Sequence, residues 1–377
     1  MTKPSTSGAS PRPQAPAVIE QRALNRALLE RQLLLGRQSI GVTEAIDHLV
    51  GIQAQAPLAP YVALWSRLSG FRADDLADLM RERRAVRTHV MRATIHLVSA
   101  ADCLPLRALM QSVMVRRFGS TPFARNLEGL ERGPLLEAGH ALLEARPHSR
   151  AELGRLLVER WPDRDPESLA SAICYLVPAV QVTPRGVWGT SGPIAWATIE
   201  SWLGKTLPAP PPADEVVLRY LAAFGPASVA DIRTWSGLAA LAEVTERLRP
   251  RLRTFRDATG RELFDLPDAP RPDPDTPAPP RFLPEYDNVL LSHEDRSRIN
   301  DGAYTMPLYP GNGGVAGHVL VDGFYRGLWK IAREGARASL RITWFGDIPT
   351  DLGEVVSEGR RLLEFAASDA GQHEVEA

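Results

Sequence analysis

An order of amphipathic helices followed by a β-hairpin recurs along this chain, and it constrains the fold more than any other feature. In the first copy, helical periodicity covers residues 18–38, 42–52, 61–68 and 72–82. Residues 86–98 then alternate and are rich in β-branched side chains, which predicts the two strands of a hairpin. Helices followed by a hairpin are the order of a winged helix, so we predict a first winged-helix unit over residues 18–130.

Two further copies of this order follow. In the second copy, the predicted helices are 150–159 and 166–176, and the predicted strands are 181–183 and 187–190. In the third copy, the predicted helices are 214–224, 229–236 and 238–248, and the predicted strands are 252–255 and 262–266. The sequence therefore predicts three tandem winged-helix units, with the second over 131–205 and the third over 206–266, that form a concave DNA-binding surface.

The C-terminal part has a different pattern. A proline-rich linker is predicted over 267–280, and a β-rich domain over 281–368. Within that domain we expect strands at 282–291, 317–321, 324–331 and 338–344, followed by a closing helix over 351–367. Residues 1–17 are predicted to form a disordered tail and residues 369–377 a frayed one. The predicted fold class is thus α+β.

Composition is ordinary for a water-soluble protein, with 44% hydrophobic and 24% charged residues among 377. No apolar run is long enough for a membrane span, and the N-terminus lacks the apolar core of a signal peptide. The only two cysteines do not suggest a disulfide framework. We therefore expect a cytoplasmic protein without a membrane partner. No heptad zipper is visible, so we expect a monomer.

Charge is distributed unevenly. Residues 1–130 contain 17 Lys and Arg against 10 Asp and Glu, whereas the remainder has 27 against 35. An excess of this kind indicates an anionic partner on one side of the molecule, although a solvated helix face is the alternative for any single arginine. The residues that we predict to bind DNA are Arg81, Arg83, Arg84, Arg87, Arg92, Arg116, Arg117 and His96. For His96, a buried structural role is the alternative.

Two glutamines, Gln53 and Gln55, are separated by one alanine and are followed by Pro57. Residues i and i+2 lie on the same face of an extended segment, so both amides can point into one cleft. A carboxamide neither titrates nor attacks, but it accepts and donates hydrogen bonds and can hold a water. The alternative is that Gln53 caps a helix end and Gln55 bonds a loop backbone.

Three motifs in register carry a resemblance that covers most of the chain. They are residues 49–55 (LVGIQAQ), 92–97 (RATIHL) and 283–291 (LPEYDNVLL). Together they resemble the AlkZ/YcaQ-type bacterial DNA glycosylases. The resemblance implies three winged-helix units, a C-terminal β-rich domain and hydrolysis of the N-glycosidic bond of N7-alkylated purines, including bulky adducts and interstrand crosslinks. It also implies that Gln53 and Gln55 are the catalytic Gln–apolar–Gln pair, in the form tied to self-resistance against DNA-alkylating natural products.

The sequence thus predicts a monofunctional DNA glycosylase whose partner is double-stranded DNA carrying alkylated purines. The alternative is a noncatalytic winged-helix DNA-binding protein, such as a transcriptional regulator. Only Lys3, Lys205 and Lys330 are available as amine nucleophiles, which disfavours a lyase. Residues 293–295 contain His, Glu and Asp without a second ligand cluster, so we expect no metal and no cofactor.

Overall fold

The computed structural model describes residues 17–302, 316–346 and 352–377. The helices are α1 (Gln21–Arg31), α2 (Val42–His48), α3 (Ala59–Arg67), α4 (Ala73–Arg81), α5 (Ala100–Leu109), α6 (Gln111–Gly119), α7 (Pro122–Asn126), α8 (Arg132–Ala145), α9 (Arg150–Val158), α10 (Pro166–Leu176), α11 (Ile199–Leu203), α12 (Asp214–Phe224), α13 (Val229–Ser236), α14 (Leu241–Leu248), α15 (Asn288–Leu291) and α16 (Gly353–Ala366). None of the helices in the described ranges is both long and apolar enough to cross a bilayer.

The strands form three sheets, so the fold is mixed α+β as predicted. The strands are β1 (Ala17–Val18), β2 (Ile52–Gln53), β3 (Ala85–His89), β4 (Ile95–Ser99), β5 (His148–Ser149), β6 (Ala179–Gln181), β7 (Ala195–Thr198), β8 (Arg253–Arg256), β9 (Glu262–Asp265), β10 (Arg281–Leu283), β11 (Gly317–Val321), β12 (Phe324–Glu334), β13 (Arg337–Trp344) and β14 (Gln372–Glu376). Most of the predicted N-terminal tail lies outside the described residues.

The largest sheet joins the hairpins of the first two predicted units in the order β2-β4-β3-β6-β7-β5. The first hairpin is the predicted one, because β3 and β4 pair antiparallel over their full lengths. Strand β3 also pairs with β6, so the two predicted units share one sheet. This sheet positions the glutamine segment, since β2 lies at its edge.

The second predicted hairpin differs from the structure. Strand β6 pairs with β7, and residues 187–190 form no strand. The physical reason is a competing contact: the Tyr61 hydroxyl donates to the Gly186 carbonyl at 3.0 Å and accepts from the Trp188 amide at 3.0 Å. The segment therefore packs on α3 instead of completing a ladder.

The third predicted hairpin is confirmed by antiparallel pairing of β8 with β9. Strand β1 adds to its edge in parallel, so Ala17 and Val18 close onto this small sheet. Arginines of α1 anchor the predicted linker 267–280 through backbone carbonyls: Arg31 Nε donates to Pro270 at 3.1 Å and Arg26 Nε to Thr276 at 2.7 Å. The linker is thus fixed against the body of the protein although it forms neither helix nor strand.

The C-terminal sheet has the order β10-β11-β12-β13-β14 and packs with α16. Its first predicted strand, 282–291, is too long: Pro284 cannot donate to a ladder, and Asp287 caps α15 by accepting from the Val289 amide at 3.0 Å. The expected frayed end also differs, because β14 pairs in parallel with β13. Predicted strands at 317–321 and 338–344 are present.

Candidate active site

Gln53 lies on the edge strand β2, opposite His96 of β4. A tight turn after α2 delivers it there, with Val50 at φ 55° and Gly51 at φ 92°. A Cβ at Gly51 would meet the Val98 side chain at 2.8 Å, so only glycine fits both the backbone angle and the space. Gln53 is buried, and its position is set by the backbone ladder.

Arg92 fixes the amide of Gln53. It lies in a 3-10 turn, Met91–Ala93, between β3 and β4, and its own φ is 56°. Its Nη2 donates to Gln53 Oε1 at 2.5 Å and to Asn288 Oδ1 at 2.9 Å, and Nη1 donates to the Trp235 carbonyl at 3.0 Å. Because a guanidinium only donates, the oxygen of Gln53 must face it. The NH2 group of Gln53 is therefore directed away from Arg92.

His96 supports this arrangement from the interior. It is fully buried, with Nδ1 3.1 Å from the Thr94 carbonyl and Nε2 3.5 Å from Arg92 Nη2. Burial, followed by the charge of Arg92, lowers the pKa of His96 to about 3. The imidazole is therefore neutral, donates from Nδ1 to the carbonyl and presents a lone pair to Arg92. His96 is thus not a proton donor at neutral pH.

Gln55 differs from Gln53 because its side chain is exposed. Its Oε1 accepts from the Ile95 amide at 3.3 Å. Between the glutamines, the Ala54 amide donates to the Ile95 carbonyl at 2.8 Å, and the Ala54 carbonyl accepts from Arg87 Nη2 at 2.9 Å. The segment is therefore held on both backbone edges while both carboxamides lie beside the start of β4.

Gln53 lines a cleft of about 520 Å³ whose wall is rich in arginine. We call it the arginine cleft, and define it by Gln53, Arg92, Arg116, Arg117 and Arg296. Arg116 and Arg117 project from α6 and are exposed. Several guanidinium groups around one cleft suit phosphate oxygens, which accept paired N–H donors. Gln55 is not among the described residues that line this cleft.

The other predicted DNA-binding arginines lie elsewhere. Arg81 pairs with Asp78 at 2.6 Å, and Arg84 with Glu82 at 3.3 Å. Arg83 lies over the ring of Trp202, 4.0 Å from its centroid. These three arginines are exposed but have partners within the protein, and none of them lines the part of the cleft that the structure describes.

Arg87 is a buried structural cation. Its Nη2 donates to the Ala54 carbonyl at 2.9 Å, and both Nη2 and Nε donate to Gln181 Oε1, at 3.0 and 3.2 Å. Burial, followed by the charge of Arg185, lowers the pKa of Arg87 to about 10. It is still protonated at neutral pH, and it links the glutamine segment to β6.

Two residues of the site carry no strong sequence signal. Asn288 bonds Arg92 and also donates to the Gly51 carbonyl at 3.2 Å, and Arg296 lines the cleft. The motif 283–291 contains Asn288, but its charged neighbour Asp287 is the more obvious candidate for a site residue. Asp287 accepts two hydrogen bonds from Arg67, each 2.9 Å long, and both side chains are buried. This pair attaches the C-terminal part to α3, so Asp287 is a bracing residue.

The described residues contain no group of three His, Cys, Asp or Glu side chains that could hold a metal ion. His293 belongs to the run 293–295, whose His, Glu and Asp are possible metal ligands in the sequence. It is buried, and its Nε2 lies 3.1 Å from the Phe224 carbonyl. Burial lowers its pKa to about 3. Its surroundings are those of a structural histidine.

Comparison with known proteins agrees with the resemblance of the three motifs. Residues 46–365 match the family described as DNA glycosylase AlkZ-like. No curated protein sequence matches significantly. Among solved structures, Streptomyces sahachiroi DNA glycosylase AlkZ is similar with a TM-score of 0.69 and 21% identity, over 95% of this chain and 99% of that chain. That likeness confirms the fold, and because the family match covers most of the sequence, the chain belongs to the AlkZ-like DNA glycosylase family.

Proposed function

We propose that the protein hydrolyses the N-glycosidic bond of N7-alkylated purines in double-stranded DNA, without lyase activity. The observation that carries the proposal is a pair of neutral amides beside the start of β4: Gln53 lines the arginine cleft, and Gln55 is exposed two residues further on. The buried histidine beside them, His96, stays neutral at physiological pH. A site whose described residues include no ready proton donor suits a leaving group that is already cationic, and N7-alkylation makes the purine cationic.

The reaction then needs little acid catalysis. The bond between C1′ and N9 breaks, and its electron pair enters the purine ring and cancels the positive charge of the base. A water adds to C1′ of the oxocarbenium-like sugar and releases its proton to solvent. Positioning that water is worth several kcal/mol of barrier, and fixed dipoles add to it.

The two amides take different parts in this mechanism. Gln55 is exposed, and its oxygen keeps one lone pair beyond the bond from the Ile95 amide, so it is our candidate for holding the water. Gln53 is fixed by Arg92, and its NH2 group orients the water or bonds the sugar–phosphate. The oxygen of Gln55 also supplies partial negative charge toward the oxocarbenium-like sugar, whereas the oxygen of Gln53 is bonded to Arg92.

The arginines of the cleft are assigned to the phosphates. Arg116 and Arg117 lie beside Gln53, and cations in that position hold the backbone on both sides of the lesion. The substrates that we propose include bulky adducts and interstrand crosslinks, because a mechanism that depends on the cationic charge does not depend on the size of the alkyl group. In this proposal the protein acts in DNA repair and in self-resistance against a DNA-alkylating natural product.

The experiment is single-turnover incubation with duplex DNA that carries N7-methylguanine or a bulky N7-alkylguanine, with detection of free base and abasic sites. We expect release from both, and undamaged guanine should stay in place. Gln55→Ala should lower the rate by about 100-fold, since it removes a positioning group at the reacting centre. The control is Gln372→Ala, an exposed glutamine on β14, which should keep the full rate.

Two outcomes would contradict the proposal at different levels. Release from none of the N7 adducts, with intact DNA binding, would favour the noncatalytic DNA-binding alternative. Full activity of Gln55→Ala, with activity in the wild type, would overturn the assignment of the water-holding residue.

A further inference from the structure

A second cavity, of about 480 Å³, begins at the residue that follows Gln55. We call it the tryptophan pocket, and define it by Ala56, Pro57, Leu58, Trp188, Glu285 and Trp329. The glutamine segment thus separates two sites of different chemistry, because Gln53 belongs to the arginine cleft and Ala56 to this pocket. The mechanism proposed above uses none of its side chains.

The two tryptophans are held by neighbouring groups. The Trp329 indole N–H donates to the Leu283 carbonyl at 2.9 Å. The Trp188 ring lies 5.0 Å from the Tyr61 ring and 5.3 Å from the Phe365 ring, measured between centroids. Fixed indole rings present negative faces that attract flat cations.

Glu285 is the acidic group of the pocket. It follows β10 and Pro284, is half-buried, and makes no side-chain hydrogen bond or ion pair with another residue in the part of the chain that the structure describes. Burial raises the pKa of Glu285, and the charge of exposed Lys330 acts against that rise. A cation placed in the pocket would stabilise the ionised carboxylate.

Arg185 also lines the pocket, and its position matters for the charge balance. Its charge acts on Arg87, which holds the glutamine segment, whereas the cation that acts on Glu285 is Lys330. Arg185 Nη1 donates to the Gly192 carbonyl at 3.5 Å, and the adjacent Gly186 packs against Arg87, since a Cβ at Gly186 would lie 2.7 Å from Arg87 Nη1. The acidic side of the pocket remains for a positive ligand.

We propose that the tryptophan pocket receives the cationic alkylated purine, with its alkyl group, while Gln55 faces the glycosidic bond. This inference rests on the proposed function. Trp188 contacts a face of the positively charged base, Glu285 pairs with its charge, and Leu58 and Val62 meet the apolar adduct. The cavity volume lies within the range of about 300 to 1,000 Å³ typical of small-molecule sites, which leaves room beyond a single base.

Binding to the full-length protein tests the pocket without any reaction. The probes are 7,9-dimethyladeninium, which is permanently cationic, and neutral 9-methyladenine, with quenching of tryptophan fluorescence as the signal. We expect the cation to bind about tenfold more tightly than the neutral base. Glu285→Gln should abolish that preference, and the matched control Glu137→Gln, on the exposed face of α8, should keep it. Equal binding of the two probes to the wild type would overturn the proposal.

A second measurement uses excision. Trp188→Leu keeps an apolar side chain but removes the aromatic face, so it should slow release of bulky N7 adducts at least about tenfold more than release of N7-methylguanine. If Gln55→Ala stops base release while both pocket variants keep wild-type rates and probe binding, the pocket proposal is wrong and the proposed function stands. If no N7 adduct is released but the cation binds with dependence on Glu285, the proposed function is wrong, and the pocket is a binding site for cationic purines without excision.

Discussion

The arginine cleft and the basic run from Arg81 to Arg87 both carry several guanidinium groups, but these groups have different surroundings. In the run, Arg81 and Arg84 pair with carboxylates, and Arg87 is buried among carbonyl oxygens. In the cleft, Arg116 and Arg117 are exposed beside Gln53. The densest cluster of positive charge in the sequence is therefore not the one nearest the candidate catalytic residues.

A charged side chain can bind an anionic partner only where the fold leaves it exposed. Arg87 has the same side chain as Arg117, but its hydrogen bonds are already made with Ala54 and Gln181. Arg87 holds the glutamine segment in place and so contributes to the stability of the fold. Of the cleft arginines, the exposed Arg116 and Arg117 can instead exchange water for phosphate, and Arg116 donates in addition to the Gly237 carbonyl. Four predictions test this division, beginning with the largest effect.

Arg87→Met should lower the free energy of unfolding by about 3 kcal/mol, because it leaves the Ala54 carbonyl and Gln181 Oε1 buried without a donor. Urea denaturation followed by circular dichroism measures the change. Arg84→Met, an exposed arginine three residues earlier, should change it by less than about 0.5 kcal/mol. Equal effects of the two substitutions would remove the distinction between the buried and the exposed members of the run.

His96 gives the second effect, which depends on pH. Its pKa is about 3 in the folded protein and about 6.5 in the unfolded chain, so the unfolded chain binds the proton first as pH falls. The contribution of the neutral His96 to the free energy of unfolding is fully present above about pH 6.5 and declines as pH falls toward 3. Between pH 7.5 and 5.0 the wild type should lose about 2 kcal/mol more than His96→Gln, which keeps a donor and an acceptor without titrating. An equal loss would mean that His96 is not held neutral beside Arg92.

Local periodicity was sufficient for much of the fold. Helices such as Pro166–Leu176 and Asp214–Phe224 coincide with the prediction, because each carries its apolar face within its own segment, and Asp165 caps the first of them by accepting from the Ser168 amide. The strand predicted at 187–190 is absent because Tyr61, more than a hundred residues away, binds that segment. The C-terminal β14 was missed for the same reason: its partner β13 decides its structure. Such long-range contacts leave no periodic pattern of residues in the sequence.

The candidate site was predictable only in part. The sequence singled out Gln53, Gln55 and Arg92, and the structure brings them together at the start of β4. It did not single out Asn288, which bonds Arg92 across the fold, because an uncharged side chain far along the chain offers no pattern. Nor could the sequence show that Arg87 faces inward, because an arginine on a strand has the same sequence pattern whether its side chain binds carbonyl oxygens or water.

The double variant Arg116→Gln/Arg117→Gln gives the third effect. It should reduce the slope of log affinity for duplex DNA against log salt concentration by about 1.8, if each arginine neutralises one phosphate. Affinity at low salt should fall by about tenfold or more, while the unfolding free energy stays close to that of the wild type because both side chains are exposed. An unchanged salt slope would exclude the arginine cleft from the DNA path.

Arg81→Gln/Arg84→Gln is the matched control and should have the smallest effect. Both arginines already face carboxylates, and exposed ion pairs contribute less than about 1 kcal/mol, so neither stability nor DNA affinity should change by more than that amount. The decrease in the salt slope, measured in the same titration, should be less than about half of the decrease seen for Arg116→Gln/Arg117→Gln. If the two double variants reduce the slope equally, DNA contacts the basic run as well as the cleft, and the pairs with Asp78 and Glu82 open when DNA binds. A larger reduction for Arg81→Gln/Arg84→Gln would reverse the comparison and place the main phosphate contacts on the basic run.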